Sequence, residues 1–330
     1  GSNGTPAFGS ANITKLDGGA GTDTLSFEES SPGANSTLSL TTANATNFEN
    51  LTGGSNAETL NGDNNANVLY GKGGADTLNG NGGNDTLGTY STDTTNDKYY
   101  GGAGDDFLNG NDGDNILDGG TGSDTILSGG GSDTIIIRSG DGGSSQSDGD
   151  TLAMFEDGAD SIGLDTITFD DLTFVQTGSD TVIKEGSNFL ITLTGISASA
   201  ITAVDFQSTS TSAVTYNGTS DNDTMVGGAG GDTFNGGAGS DTLLGWGGND
   251  TFNIRSKSGA FADIINGGSG TDTLDISYSG VTSLANFTIS TSGDNIVLTD
   301  TSGGSITYSN TENLTVGDYD YIDLYTDRGA

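Results

Sequence analysis

Aspartate returns in this chain on a nine-residue beat. From Gly71 the sequence runs GKGGADTLN, GNGGNDTLG and, after an interruption, GGAGDDFLN, GNDGDNILD, GGTGSDTIL, SGGGSDTII. A second array from Gly218 runs GTSDNDTMV, GGAGGDTFN, GGAGSDTLL, GWGGNDTFN, and single copies stand at Gly18 (GGAGTDTLS) and Gly267 (GGSGTDTLD). The sixth place belongs to Asp23, Asp76, Asp85, Asp106, Asp124, Asp133, Asp223, Asp232, Asp241, Asp250 and Asp272. Weaker copies put Glu58, Asn67, Asn115 and Asp263 there. A carboxylate is a hard anionic donor, and glycine lets backbone carbonyls converge on one point through a turn of positive φ. Together they suit a hard cation that takes six to eight oxygens, which is calcium's preference.

Other chemistries lack their parts. The chain has no histidine and no cysteine, so imidazole bases, a Ser-His-Asp triad, an HExxH zinc site, thiolate metal sites and disulfides are excluded. Paired carboxylates are able to perform glycosidase chemistry, but nearly all stand at repeat positions. The expectation is that these residues are not an enzyme.

Such carboxylates need elements that hold them in rows. The last three residues of each unit form a short strand whose middle side chain points inward; Leu78, Leu87, Leu108, Leu117, Ile126 and Ile135 are the inward positions of the first array. These units resemble the RTX nonapeptide, G-G-x-G-x-D-x-U-x, whose parallel β-roll binds calcium. The resemblance implies a coil of two nonapeptides, so same-edge neighbours lie 18 residues apart and each calcium sits between successive turns of one edge. Asp106 then faces Asp124 and Asp223 faces Asp241, while Asn115 with Asp133 and Asp232 with Asp250 form the other edges. About ten calcium ions are expected. Ions are expected to be weaker or missing at Glu58, Asn67 and Asn115. The stretch from Asp150 to Ile162 resembles the segment that follows the roll in RTX proteins, where an early Asp completes the last site; the resemblance implies that role for Asp150.

Composition agrees with a fold that depends on a cation. Glycine contributes 58 of 330 residues, and 45 acidic residues against 8 basic ones leave a formal charge of −37. A chain so charged repels itself until something neutralises it. Nucleic acid and anionic membrane surfaces carry the same sign, so neither is expected as a partner. No run approaches the 18 apolar residues of a membrane span, and membrane insertion is not expected. The opening Gly1-Ser2 and the absence of a visible signal peptide are read as the mark of a fragment.

The expected fold class is all-β: a parallel β-roll or solenoid of nonapeptide repeats, interrupted by a small antiparallel β cap and by β excursions. The first roll is expected over 1–137, with an excursion at 27–52 and a loop at 89–100 whose Tyr90, Tyr99 and Tyr100 either meet a sugar or pack over the edge. Period-two strands over 138–207 are expected to form the antiparallel cap and connector. A second roll is expected over 208–330, with an excursion at 276–316. The two excursions share an internal likeness, each returning at E-N-L-T (Glu49-Asn50-Leu51-Thr52 and Glu312-Asn313-Leu314-Thr315). By analogy the chain from Gly317 is expected to re-enter a roll with Leu324 inward. Trp246, inside a repeat turn, is expected at a roll edge, where it stacks on a carbohydrate ring or covers the neighbouring interruption.

RTX proteins typically leave the cell by type I secretion. The resemblance therefore implies a secreted or bacterial cell-surface protein that folds on meeting calcium: a surface-layer or adhesin fragment with calcium as partner and self-assembly or a cell-surface glycan as further contacts. The alternative reading is an accessory region of a secreted enzyme whose catalytic part lies elsewhere. An ice-binding segment ranks last, because the interruptions deny it a long threonine register.

Overall fold

The computed structural model describes residues 16–26, 36–40, 45–46, 48–88 and 93–322. Its strands are short, and most pair in parallel with the strand one coil away. The reason lies in the nine-residue unit. The triplet is too short to bury anything alone, but stacked triplets form a continuous apolar wall.

Contacts divide the chain into two compact units, Gly1–Gly163 with Leu172–Asp205, and Leu164–Asp171 with Phe206–Ala330. In the first unit one sheet stacks Ser36–Ser39, Glu58–Asn61, Thr77–Gly82, Lys98–Ala103, Ile116–Thr121 and Thr134–Arg138. The other stacks Thr24–Ser26, Asn50–Thr52, Val68–Tyr70, Thr86–Leu87, Phe107–Asn109, Thr125–Leu127 and Asp150–Ala153. Register is set by the inward residue: Leu60 pairs with Leu78, Leu69 with Leu87, Leu108 with Ile126 and Leu117 with Ile135. All of these inward side chains are fully buried. Covering a Leu or Ile in this way contributes about 1.5–3 kcal/mol each, and a one-residue slip would turn the whole wall to solvent.

The loop expected at 89–100 is shorter than that. Residues 93–100 already lie in the roll: Tyr99 pairs with Leu78 on one side and Leu117 on the other and is buried. The same-edge step across it is 21 residues instead of 18, so the interruption adds three residues to the coil and the ladder continues across it. Tyr99 is thus a core side chain, and Tyr90 lies outside the described residues. Over 138–207 the roll also continues further than the expected cap. Asp150–Ala153 is parallel to Thr125–Leu127, and Asn188–Leu193 is parallel to Asp150–Ala153. Only then do Asp180–Glu185 and Leu172–Thr177 turn the sheet antiparallel.

In the second unit one sheet runs Thr215–Asn217, Thr233–Asn235, Thr251–Ile254, Thr273–Ile276 and Asn313–Val316. The other runs Thr224–Val226, Thr242–Leu244, Ala262–Asn266 and Ser305–Ser309, then turns back through Asn295–Asp300 and Phe287–Ser292. Aromatic rings replace leucines here: Tyr216, Phe234 and Phe252 stack with centroids 4.9 Å apart at each step, the spacing of neighbouring strands. Leu51 pairs with Leu25 and Leu314 with Leu274, so both E-N-L-T segments rejoin the parallel stack. After that, among the described residues, the chain turns back where a coil was expected. Gly317, at φ 62°, turns it into Tyr319–Ile322, which runs antiparallel to Asn313–Val316; Leu324 lies outside the described residues.

Candidate metal centre: ladders of buried carboxylates

At most of the described turns the sixth-place carboxylate points along the stack. Its Oδ1 accepts the backbone N–H of the sixth-place residue one coil earlier. In the first unit Asp124 Oδ1 accepts from Asp106 N at 2.7 Å, Asp106 from Asp85 at 2.6 Å and Asp85 from Asn67 at 2.7 Å. On the opposite edge Asp133 Oδ1 accepts from Asn115 N and Asp76 Oδ1 from Glu58 N. The second unit repeats the pattern: Asp241 accepts from Asp223, Asp263 from Asp241, Asp250 from Asp232 and Asp272 from Asp250. Asp150 Oδ1 takes the amide of Asp124 and so stands where the next repeat Asp would.

The second oxygen is left over. Oδ2 of Asp23, Asp76, Asp85, Asp106, Asp124, Asp133, Asp250, Asp263 and Asp272 is buried with no hydrogen-bond donor. A buried carboxylate oxygen without a partner is costly. Burial pushes the Asp76, Asp124, Asp133 and Asp250 carboxyls up to about 7, Asp85 to about 6 and Asp150 to about 8, and neighbouring carboxylates add to the rise. Burial likewise raises Asp106, Asp263 and Asp272.

Glycine makes the room. A Cβ on Gly71 would fall on Asp76 Oδ2, one on Gly119 on Asp124 Oδ2 and one on Gly245 on Asp250 Oδ2. The first residue of the repeat must therefore be bare for the carboxylate to lie over it, and its neighbouring carbonyls share the same space. Rows of oxygen atoms of one sign, about 4.8 Å apart along the stack, suit an ion whose oxygen ligands lie at roughly 2.4 Å on either side. The donor set is all oxygen, carboxylate and carbonyl, and so fits calcium. Among the described residues no group of three acidic side chains makes a metal site alone, so backbone carbonyls would have to complete each one.

Four ladder residues escaped the sequence reading. Asp97 takes the amide of Asp76 at 2.8 Å and gives its own to Asn115 Oδ1 at 2.8 Å; burial raises it to about 6. Its nonapeptide, TDTTNDKYY, has Asp sixth and Tyr eighth, but no glycine announces it. Asp160 takes the amide of Asp133 at 3.0 Å, and Asp160-Ser161-Ile162 keeps the D-x-U order. Glu49 and Glu312 take the amides of Asp23 and Asp272, both at 2.7 Å; the shared E-N-L-T was their signal.

Of the residues expected to hold metal, Asp23 and Asp223 are only half-buried, while the others are almost wholly enclosed. Asp223 and Asp232 spend Oδ2 on backbone amides of their own turns, Thr219 and Gly228. Asp241 and Asp263 instead face a cation from the chain, Lys257.

Glycine-paved turns, inward triplets and carboxylate ladders define a parallel β-roll of nonapeptide repeats. A family model for the RTX calcium-binding nonapeptide repeat, four copies long, matches residues 52–87, 92–126, 100–135, 217–252 and 257–275. Those segments are RTX calcium-binding nonapeptide repeats. No curated protein sequence matches it. Among solved structures it is similar to a subunit of the mannuronan C5-epimerase of Azotobacter vinelandii, at 25% identity over 47% of this chain and 79% of that one, with a TM-score of 0.17. It is also similar to the extracellular lipase LipA of Serratia marcescens, at 16% identity over 82% of this chain, with a TM-score of 0.21. The chain spans 40% of the lipase's length.

Proposed function

We propose that both rolls bind calcium in the gaps between same-edge turns, and that the chain is an extracellular structural or adhesive segment of a bacterial surface protein, folded by calcium after secretion. The observation that carries the calcium reading is the row of buried Oδ2 atoms with no donor. The ions would be held by Asp76, Asp85, Asp106, Asp124, Asp133, Asp150, Asp250 and Asp272 together with turn carbonyls. When bound, calcium supplies the positive charge that a −37 chain lacks.

Linkage supports the secreted reading. Each site stabilises the fold by RT ln(1 + [Ca]/Kd), about 2.7 kcal/mol at a hundredfold excess and close to nothing when calcium is scarce. Several such sites switch the chain between coil and roll as it passes from cytosol to exterior, which suits export through a type I channel as an unfolded chain. Surface attachment, self-assembly and a glycan ligand belong to the same proposal. The test is far-UV circular dichroism of EDTA-treated chain during a calcium titration, with magnesium as control. A cooperative coil-to-β change specific to calcium is expected; a β spectrum that neither ion alters would overturn the calcium-folding reading.

A further inference from the structure

One ladder of the second unit contains a cation from the chain itself. Lys257 Nζ lies 2.6 Å from Asp241 Oδ2 and 2.9 Å from Asp263 Oδ1, and donates to Gly239 O at 3.0 Å. Its side chain is 1% exposed, and the Phe261 ring stands 5.2 Å from the ammonium. The three N–H groups of an ammonium thus meet three oxygens, two from carboxylates of successive turns and one from a backbone carbonyl. That is the donor set described above for the other gaps.

The turn that carries Lys257 departs from its neighbours in the way this role requires. Asp263 follows Asp241 by 22 residues, while Asp250 follows Asp232 by 18. Where other repeats place a glycine-rich hexad, residues 254–263 read IRSKSGAFAD and hold a single glycine, Gly259. The turn has lost the glycines that bare its carbonyls and has gained a long cationic side chain. On the opposite edge Asp250 and Asp272 keep an Oδ2 without a donor; on the lysine's edge Asp241 Oδ2 is answered by Lys257, which meets Asp263 through Oδ1 and leaves only the Asp263 Oδ2 over. A lysine this deeply enclosed is tolerated only when paired and hydrogen-bonded, as it is here.

We propose that Lys257 is a built-in substitute for one calcium ion: its ammonium fills the gap between Asp241 and Asp263, so that this joint closes without metal and no calcium enters it. The inference rests on the calcium reading of the other gaps. It gives the second roll one joint that is complete before calcium arrives, a point from which neighbouring turns can stack as ions bind.

The test is a crystal structure of the wild-type chain grown in calcium, with the ions located by anomalous scattering. Peaks in other gaps of the roll and none between Asp241 and Asp263 are expected. A peak in that gap beside peaks elsewhere overturns this inference alone; peaks nowhere remove the calcium reading and the inference with it. A second measurement uses Lys257→Met, which leaves two buried carboxylates without their cation, against Lys184→Met in the antiparallel strand Asp180–Glu185, away from the carboxylate ladders. The calcium midpoint of folding is expected to move upward for the first and stay for the second, and an unmoved midpoint for Lys257→Met overturns the proposal.

Discussion

Asp250 accepts the amide of Asp232 at 2.7 Å through one oxygen, and keeps its other oxygen buried with no donor. The two oxygens therefore have different jobs. Oδ1 joins one coil to the next, and Oδ2 carries the charge that has to be answered by a cation.

Asp250→Asn separates those jobs. An amide oxygen still accepts from Asp232, while the NH2 group removes both the charge and the metal-facing oxygen. The variant is expected to bind at least one calcium fewer by equilibrium dialysis. Its calcium-free form is expected to hold more β-structure at neutral pH, because one carboxylate with a carboxyl raised to about 7 has been neutralised. A calcium count equal to that of wild type would show that Asp250 holds no ion.

The raised carboxyls set a pH dependence for the calcium-free chain. Asp76, Asp124 and Asp133 are held near 7 and Asp150 near 8 when folded, mainly by burial, against about 3.9 in an unfolded chain. Between those values the folded state binds more protons than the unfolded one, so stability falls as pH rises. The calcium-free roll is expected to be most structured near pH 4 and to lose that structure progressively toward pH 8. Circular dichroism in EDTA across this range checks the direction; a gain of structure with rising pH would reverse the sign and sink the account. Calcium binding near pH 6–7 is expected to release protons, seen as a heat that depends on buffer ionisation.

Two glycines of one turn divide the structural from the permissive. A Cβ on Gly71 would collide with the Asp76 carboxylate, whereas a Cβ on Gly73 meets nothing. Gly71→Ala forces the carboxylate off the turn and is expected to cost about 1–3 kcal/mol in calcium-saturated thermal unfolding, with weaker calcium binding. Gly73→Ala is expected to stay within about 0.5 kcal/mol of wild type.

What the sequence made legible is what repeats. The nine-residue period exposed the inward wall from Leu78 to Ile135 and most sixth-place aspartates, because identical turns need identical residues. It missed features that stand out of phase or lack glycine. Asp97 sits in a hexad without glycine, so an in-phase turn looked like a loop. Lys257 occurs once, in a lengthened turn, and only the fold brings it against Asp241 and Asp263. Likewise, Gly317 turns the chain into a strand antiparallel to Asn313–Val316, a reversal that the analogy between the two excursions did not contain.

Asn115 supplies the converse of Asp250→Asn. Its Oδ1 accepts the amide of Asp97 as a repeat Asp would, but its Nδ2 donates to Gly110 O and Gly113 O, each at 2.9 Å. The side-chain amide thereby satisfies carbonyls that would otherwise turn to an ion, and it brings no charge. Asn115→Asp keeps the bond to Asp97, frees both carbonyls and adds a carboxylate next in the ladder to Asp97 and Asp133. Calcium binding is expected to gain one ion, or to tighten, in isothermal titration calorimetry. The calcium-free chain is expected to become less structured, since one more buried carboxylate then lacks a cation. Stronger calcium binding together with a weaker calcium-free fold would tie both effects to one oxygen-for-nitrogen exchange; a variant that loses calcium-free structure and gains no calcium would show that this gap cannot hold an ion.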